Sequence, residues 1–333
     1  MTEPPLRWGV LGAADIARKA VIPAIAAAGG EVVALASRDP DRGQEVAQSL
    51  GIPQFLRKYQ ELVEADLDAV YIPLPNSLHL PWTLQAVAAG KHVLCEKPLA
   101  LSAAEARQMR QAAEERSVVL AEAVMYRYHP RWQQVRQLIS DGAVGNLRHL
   151  QGSFTFSLGP RPDIRWDREL GGGALYDVGS YLVSACRWLV GEPIRVLARA
   201  DMRQGVDGDG SMLLEFAGSD GPVAAELAYS FESAETQRLE LIGSKGSLLV
   251  PKPFTAWTGE SIPIWLSREP GGPAEQIATP AADPYQEMVA AFTSRVRGGP
   301  LLSTGPEDAE LGLRVLDAAR RSLASRSWEL PLG

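Results

Sequence analysis

RWGVLGAADIA, residues 7–17, is an apolar run of strand length that breaks into a turn of small residues and continues as a helical pattern. A dinucleotide-binding turn needs a small residue where the chain bends and a second where backbone approaches a pyrophosphate. It needs a third where the helix meets the sheet. Gly12, Ala14 and Ala17 stand at that spacing, with alanine in place of the usual middle glycine. The helix that follows would aim its unpaired N–H groups at phosphate oxygens, which makes Gly12, Ala14, Asp15 and Ile16 candidate cofactor contacts. A tight strand-to-helix turn also wants small residues for its own sake, so the surrounding chain has to decide.

Working outward, the alternation persists for about 125 residues. EVVALAS (31–37), DAVYIPL (68–74), KHVLCE (91–96) and VVLAEAV (118–124) are strand-like. The Ala-rich segments between them carry apolar residues at helical spacing, and Gly29, Gly51 and Gly90 suit helix C-caps. Strands alternating with helices of this length predict a parallel sheet covered on both faces. After about residue 145 the texture changes to consecutive strand patterns joined by short Gly-, Asp- or Pro-containing turns, from LRHLQGSFTFS (147–157) to GSLLVP (246–251). One helix interrupts them near 176–191, and helical patterns at 284–299 and 306–325 close the chain. The expected fold is an α/β Rossmann-type doubly wound parallel sheet over residues 1–125. An α+β domain with an open, mostly antiparallel sheet follows over 126–333, and the C-terminal helices are free to pack back on the first domain.

Composition narrows the function. With 333 residues, 46% hydrophobic, the chain can bury two cores, and a net charge of −7 argues against a nucleic-acid footprint. Cys95 and Cys186 provide no disulfide framework, no apolar run reaches membrane-spanning length, and the start lacks a signal-peptide pattern. A soluble cytoplasmic protein with no membrane or nucleic-acid partner is expected. The four histidines are scattered without ligand spacing, so no metal is expected either.

The ends of the predicted strands carry the chemistry. An NAD site usually has an acidic residue after the second strand. Here Ser37 and Arg38 stand there, with Arg42 one turn into the next helix, a set that suits a 2′-phosphate and favours NADP(H) over NAD(H). Surface arginines at a helix start, one paired with Asp39, are the plainer alternative. In PLPNSLH (73–79), Pro73 and Pro75 stiffen a loop at the carboxyl end of the sheet. Pro73, Leu74, Asn76 and His79 are cofactor candidates, although Asn76 could simply cap the next helix and His79 line its first turn. LCEKPL (94–99) then sets Glu96 and Lys97 at the end of a buried strand, where Glu96 would orient the lysine. Asp177 and Tyr181 are four residues apart after a triple glycine, hence on one helix face if the helix has begun. A carboxylate and a phenol side by side suit a polyol, and their structural alternatives are an N-cap and a core aromatic.

GVLGAADIA, PLPNSLH, CEKPLA, EAVMYRYHPRW and DIRWDRELGGGALYDVGSY, in this order and spacing, resemble the glucose–fructose oxidoreductase/inositol dehydrogenase family along nearly the whole chain. The last two stretches look most like the branch with dihydrodiol and D-xylose dehydrogenases, and NADPH-dependent ketoreductases of nucleotide-linked sugars look similar too. The resemblance implies hydride transfer at nicotinamide C4. It implies a C-terminal domain for substrate binding and for assembly into a homodimer or homotetramer through its sheet. It also implies Lys97, Asp177 and Tyr181 as the catalytic set, acting on a small carbohydrate-like substrate. Glu96 and Lys97 would also face the cofactor, and Arg127, Arg165 and Trp166, with His129, fall in pocket-forming stretches. A tyrosine of ordinary pKa, ~10, is a poor base at neutral pH, and a nearby ammonium lowers it. Lys97 and Tyr181 are thus expected to converge on the reacting oxygen while Asp177 holds a neighbouring hydroxyl. The competing expectations are a ketoreductase of a nucleotide-linked ketosugar and a cofactor-sensing regulator without catalysis.

Overall fold

The computed structural model describes residues 4–159, 163–218, 220–255, 259–269 and 272–332. Strand and helix alternate from the start, as the periodicity predicts. β1 (Arg7–Leu11), β2 (Glu31–Ala36), β3 (Gln54–Leu56), β4 (Ala69–Ile72), β5 (His92–Cys95) and β6 (Leu120–Glu122) form a sheet in the order β3-β2-β1-β4-β5-β6. Every pair is parallel. The crossovers carry α1 (Ile22–Ala27), α2 (Pro40–Ser49), α3 (Tyr59–Val63), α4 (His79–Ala88) and α5 (Ala103–Glu115). Val10, Leu35, Val70, Tyr71 and Leu94 are buried, as strands covered on both faces require. The strand order reverses between β1 and β4, and in doubly wound sheets ligands bind at the carboxyl ends of the strands at that point.

α6 (Pro130–Ser140) precedes a second sheet built from β7 (Leu147–Ser157), β8 (Pro193–Arg203), β9 (Val206–Phe216), β10 (Val223–Ser230), β11 (Glu232–Gly243), β12 (Ser247–Pro251), β13 (Ile264–Ser267) and β14 (Glu275–Ile277). Its order is β14-β13-β12-β11-β7-β10-β9-β8. Only β7 and β10 pair in parallel; the other pairs are antiparallel. α7 (Ser180–Val190) lies on one face of it, and Gly152 makes the approach possible. A Cβ there would stand 2.9 Å from Leu182 Cδ2 and 3.0 Å from Leu227 Cδ2. The opposite face carries cross-strand polar pairs such as Arg195 Nε to Glu215 at 2.9 Å.

α8 (Pro284–Val296) and α9 (Pro306–Ser325) complete the chain. Two compact units result. The chain up to Met125 forms one with Pro284–Glu310, and Tyr126–Asp283 forms the other with the residues from Leu311 onward. In the first unit α8 packs on the sheet's first strand, with the Phe292 ring 5.1 Å from that of Trp8. Among the described residues no helix is long and apolar enough to cross a membrane.

Candidate active site

In the first unit the turn after β1 is built for backbone approach. Gly12 has a φ of +108°, and its N–H donates to the Ala36 carbonyl at 2.7 Å. That backbone favours glycine, and a Cβ would also press to 3.1 Å from Leu74 Cδ2. The helix begins at Asp15, passes through a π turn at Ala17–Val21 and continues as α1, with Ala17 fully buried beneath it. The Asp15 carboxylate lies 3.0 Å from Lys19, 3.0 Å from Arg42 and 3.7 Å from Arg18. Its pKa is lowered, chiefly by the Lys19 hydrogen bond. One carboxylate among three cations leaves net positive charge beside a helix N-terminus, and with the Gly12 turn this fits a dinucleotide pyrophosphate.

At the end of β2 the side chains divide their tasks. Asp39 caps α2 by accepting the Arg42 N–H at 3.1 Å, and the buried Ser37 hydroxyl accepts the Asp39 N–H at 3.2 Å. Arg42 is drawn to Asp15, whereas the exposed Arg38 guanidinium has neither hydrogen-bond nor ion-pair partner among the described residues. The alternative pairing of Arg38 with Asp39 is therefore absent there, and Asp39 Oδ1 serves the helix start instead.

The loops after β4 and β5 are tied together. His79 is fully buried, with Nδ1 2.8 Å from the Pro98 carbonyl and Nε2 2.8 Å from the Leu74 carbonyl. A neutral imidazole can donate to only one of the two. Burial lowers its pKa while both carbonyls pull it up. The N-cap position of α4 is Leu78, which makes no side-chain capping bond, and Asn76 stands in a short 3₁₀ turn, Asn76–Leu78. The Lys97–Pro98 bond is cis. Glu96 Oε2 accepts the Lys97 N–H at 3.2 Å while Oε1 accepts the Tyr71 hydroxyl at 2.7 Å. One residue past the proline, the Leu99 N–H donates to Glu122 Oε1 at 2.7 Å. Three side chains thus hold three successive backbone positions around Lys97. Gly12, Leu74, His79 and the Lys97–Leu99 segment form one contiguous group at the carboxyl ends of β1, β4 and β5.

In the second unit the triple glycine has a separate reason at each position. Gly171 turns at a φ of +77°, and a Cβ on Gly172 would sit 2.3 Å from the Arg165 carbonyl oxygen. Gly173, at +120°, presses against Asp207, where a Cβ would lie 2.4 Å from Oδ1. The helix opens with a π turn, Leu175–Gly179, that contains Asp177, so Asp177 is inside the helix and not its N-cap. Arg165 Nε donates to Asp177 Oδ2 at 2.7 Å, and Nη1 reaches Asp163 at 3.1 Å. Asp177 is the chief cause that raises the Arg165 pKa. Trp166 stacks edge-on to Phe231 at 5.8 Å.

Tyr181 is 8% exposed on α7, its ring 5.3 Å from Phe254, 5.6 Å from Phe154 and 6.0 Å from Tyr126. Arg127 is buried, with Nη2 donating to the Ser184 carbonyl at 3.0 Å and its hydroxyl at 2.9 Å. His129 caps α6 through Nδ1, which accepts the Arg131 N–H at 3.2 Å, and burial pushes its pKa down to about 4. Sequence reasoning missed Glu122, Asp163 and Asp207, whose partners are set by tertiary structure or by the backbone.

Residues 6–124 match an oxidoreductase family described by an NAD-binding Rossmann fold, and residues 132–249 match the GFO/IDH/MocA C-terminal domain. A dTDP-3,4-didehydro-2,6-dideoxy-alpha-D-glucose 3-reductase from Streptomyces violaceoruber is 41% identical over 297 residues, covering 88% of this chain and 85% of that protein. The chain belongs to the GFO/IDH/MocA oxidoreductase family. This is the family its motifs resemble. A second GFO/IDH/MocA relative, a D-xylose 1-dehydrogenase (NADP(+)) 2 from Haloferax volcanii, is 37% identical over 324 residues, 95% of this chain and 97% of the other. A 3-ketoreductase from Actinomadura kijaniata, solved with NADP and TDP-benzene, is 35% identical. It superposes with a TM-score of 0.89 over 96% of this chain and 98% of its own. The GFO/IDH/MocA chain described here is thus an oxidoreductase with an NAD(P)-binding Rossmann unit. The first match spans the turn at Gly12 and the hold on Lys97, and the second spans Arg165, Asp177, Tyr181 and Asp207.

Proposed function

We propose that this chain catalyses NADP(H)-dependent hydride transfer between nicotinamide C4 and a carbon–oxygen centre of a sugar or a related polyol or diol. The bound cofactor supplies or accepts the hydride. Gly12, Ala14, Asp15 and Ile16 line the pyrophosphate. Ser37 and Arg38 take the ribose phosphate, with Arg42 steadying the neighbouring helix start. Pro73, Leu74, Asn76, Glu96 and Lys97 face the nicotinamide half, and His79 contributes by fixing the backbone of those loops. Tyr181 gives a proton to the reacting oxygen in reduction and removes it in oxidation. Lys97 assists, its positive charge favouring the phenolate. Asp177 holds a neighbouring hydroxyl, while Arg127, Arg165 and Trp166 shape the pocket.

The observation that supports this proposal most is the hold on the Lys97–Leu99 backbone, where Glu96 takes the Lys97 N–H, His79 meets the Pro98 carbonyl and Glu122 takes the Leu99 N–H. Such a hold commits three polar side chains to the backbone that carries the lysine at the carboxyl end of β5, the end of a doubly wound sheet where ligands bind. Arg38, which has no partner among the described residues, a relative named for NADP(+) and a structural neighbour solved with NADP support NADP(H) over NAD(H). A second substrate, a nucleotide-linked ketosugar, is supported by the dTDP-ketosugar reductase and the TDP-benzene complex among the relatives. Arg165 weighs the other way, because a diphosphate wants a cation and this one already shares its charge with Asp163 and Asp177. Assembly through the outer face of the second sheet is supported by the exposed Met202 and Leu213, which line a depression there with Arg199, Glu226 and Arg238.

Tyr181→Phe and Lys97→Ala test the chemistry. Each is expected to bind NADPH within about 3-fold of wild type by fluorescence titration and to lose about 100-fold or more in turnover. Near-normal rates in both variants would rule the roles out.

A further inference from the structure

We propose that Asp207, near the start of β9, is a positioning residue for the segment that carries Asp177 and Tyr181, an inference that rests on the roles given to those two residues above. The first N–H groups of a helix lack intrahelical acceptors and need partners from elsewhere. Here Gly171–Gly173 have no side chains and Ala174, at the N-cap, makes no side-chain capping bond. The acceptor comes instead from 32 residues downstream: Asp207 Oδ2 takes the Leu175 N–H at 2.6 Å. The other carboxylate oxygen faces Gly173, where any Cβ would collide with it.

The same loop is pinned from its other side. The Gly172 N–H donates to the Asp167 carbonyl at 2.9 Å, and the Gly173 N–H to the Arg165 carbonyl at 2.9 Å. The Asp177 N–H then closes on the Gly173 carbonyl at 3.2 Å, and its carboxylate meets Arg165. Asp207 and the Arg165 turn therefore grip the helix start between them. Farther along, the Tyr229 ring of β10 lies against Gly179, 3.5 Å from where a Cβ would be. Asp207 is 8% exposed, and burial pushes its pKa up to about 6 against the pull of the Leu175 N–H and Arg320. A carboxylate kept in so unfavourable a place fits a demand for an exact helix start, because a small displacement of reacting groups costs much of the rate.

The test compares Asp207→Ala, Asp207→Asn and the nearby control Asp209→Ala. Kinetics are followed with NADP+ and D-xylose as the probe, and amide hydrogen exchange is read over residues 170–183. Asp207→Ala should lower kcat about 10- to 100-fold while the NADP+ KM stays within about 2-fold, and exchange at 174–181 should speed up about 10-fold. Asp207→Asn keeps an oxygen acceptor and should return kcat to within about 3-fold of wild type, with Asp209→Ala unaffected. Unchanged exchange in Asp207→Ala, a kcat within about 2-fold of wild type, or an asparagine variant as damaged as the alanine one would overturn the proposal. Where wild type does not turn over D-xylose, exchange alone decides. Full activity in Tyr181→Phe would remove the function given to Tyr181 and leave the exchange result on Asp207 standing. An inactive Tyr181→Phe beside a fully active Asp207→Ala would remove Asp207 alone.

Discussion

Asp39, Arg42 and Arg38 stand within five residues of one another and end in three different situations. Asp39 is spent on capping α2, Arg42 is paired with Asp15, and Arg38 reaches solvent without a protein counter-ion among the described residues. The consequence is a cation available for a phosphate at the ribose end of the proposed cofactor site, while Asp39 Oδ1 is engaged at the helix start. Arg38→Ala is expected to weaken NADPH binding about 10- to 50-fold and NADH binding less than about 3-fold, by fluorescence titration of each. Equal losses for the two cofactors would show that Arg38 does not read the phosphate. The residue types were legible in advance here, because Ser37, Arg38 and Arg42 lie together in the chain. The division of labour between Arg38 and Arg42 was not, since it depends on Asp15, 27 residues before Arg42.

At the scale of elements, the turn after β5 and the loop before α4 act as one piece through His79. Its ring spans the Leu74 and Pro98 carbonyls, while Glu96 and Glu122 hold the N–H groups on either side of the proline. Replacing His79 by leucine removes the one hydrogen bond a neutral ring can donate to these carbonyls and the polar contact to the other. A loss of roughly 2–4 kcal/mol in urea unfolding is expected, with kcat falling more than NADPH affinity. A change under about 0.5 kcal/mol would mean that the loops hold without it. Most strands and helices were readable from periodicity, but the 3-residue β3 and the 5-residue α3 were not. α6 was not, because Trp132 and Val135 are its only buried apolar residues amid Arg and Gln. β13 and β14 are 4 and 3 residues long, too short for alternation to register. The candidate site residues at strand ends could be picked out from the chain, whereas Glu122 and Asp207 act on backbone N–H groups 23 and 32 residues distant, which side-chain spacing does not reveal.

Over the whole molecule, the parallel sheet with its order reversal at β1 and β4 accounts for the NAD(P)-binding unit, and the mostly antiparallel sheet supports the helix of Asp177 and Tyr181. Lys97 lies in one unit and Tyr181 in the other. Membership of the GFO/IDH/MocA family makes the chain an oxidoreductase, with a carbon–oxygen centre proposed as the hydride partner and Tyr181 as the proton donor. Deuterium transfer tests both at once. Protein would be incubated with NADPH deuterated at nicotinamide C4 and a panel of ketoses, sugar lactones and a dTDP-ketosugar, and each product analysed by mass spectrometry. Wild type is expected to place one deuterium on the carbinol carbon of at least one product, and Tyr181→Phe, with NADPH still bound, to do so about 100-fold more slowly or not at all. Bound NADPH with no deuterium in any product, or transfer by Tyr181→Phe at the wild-type rate, would contradict it.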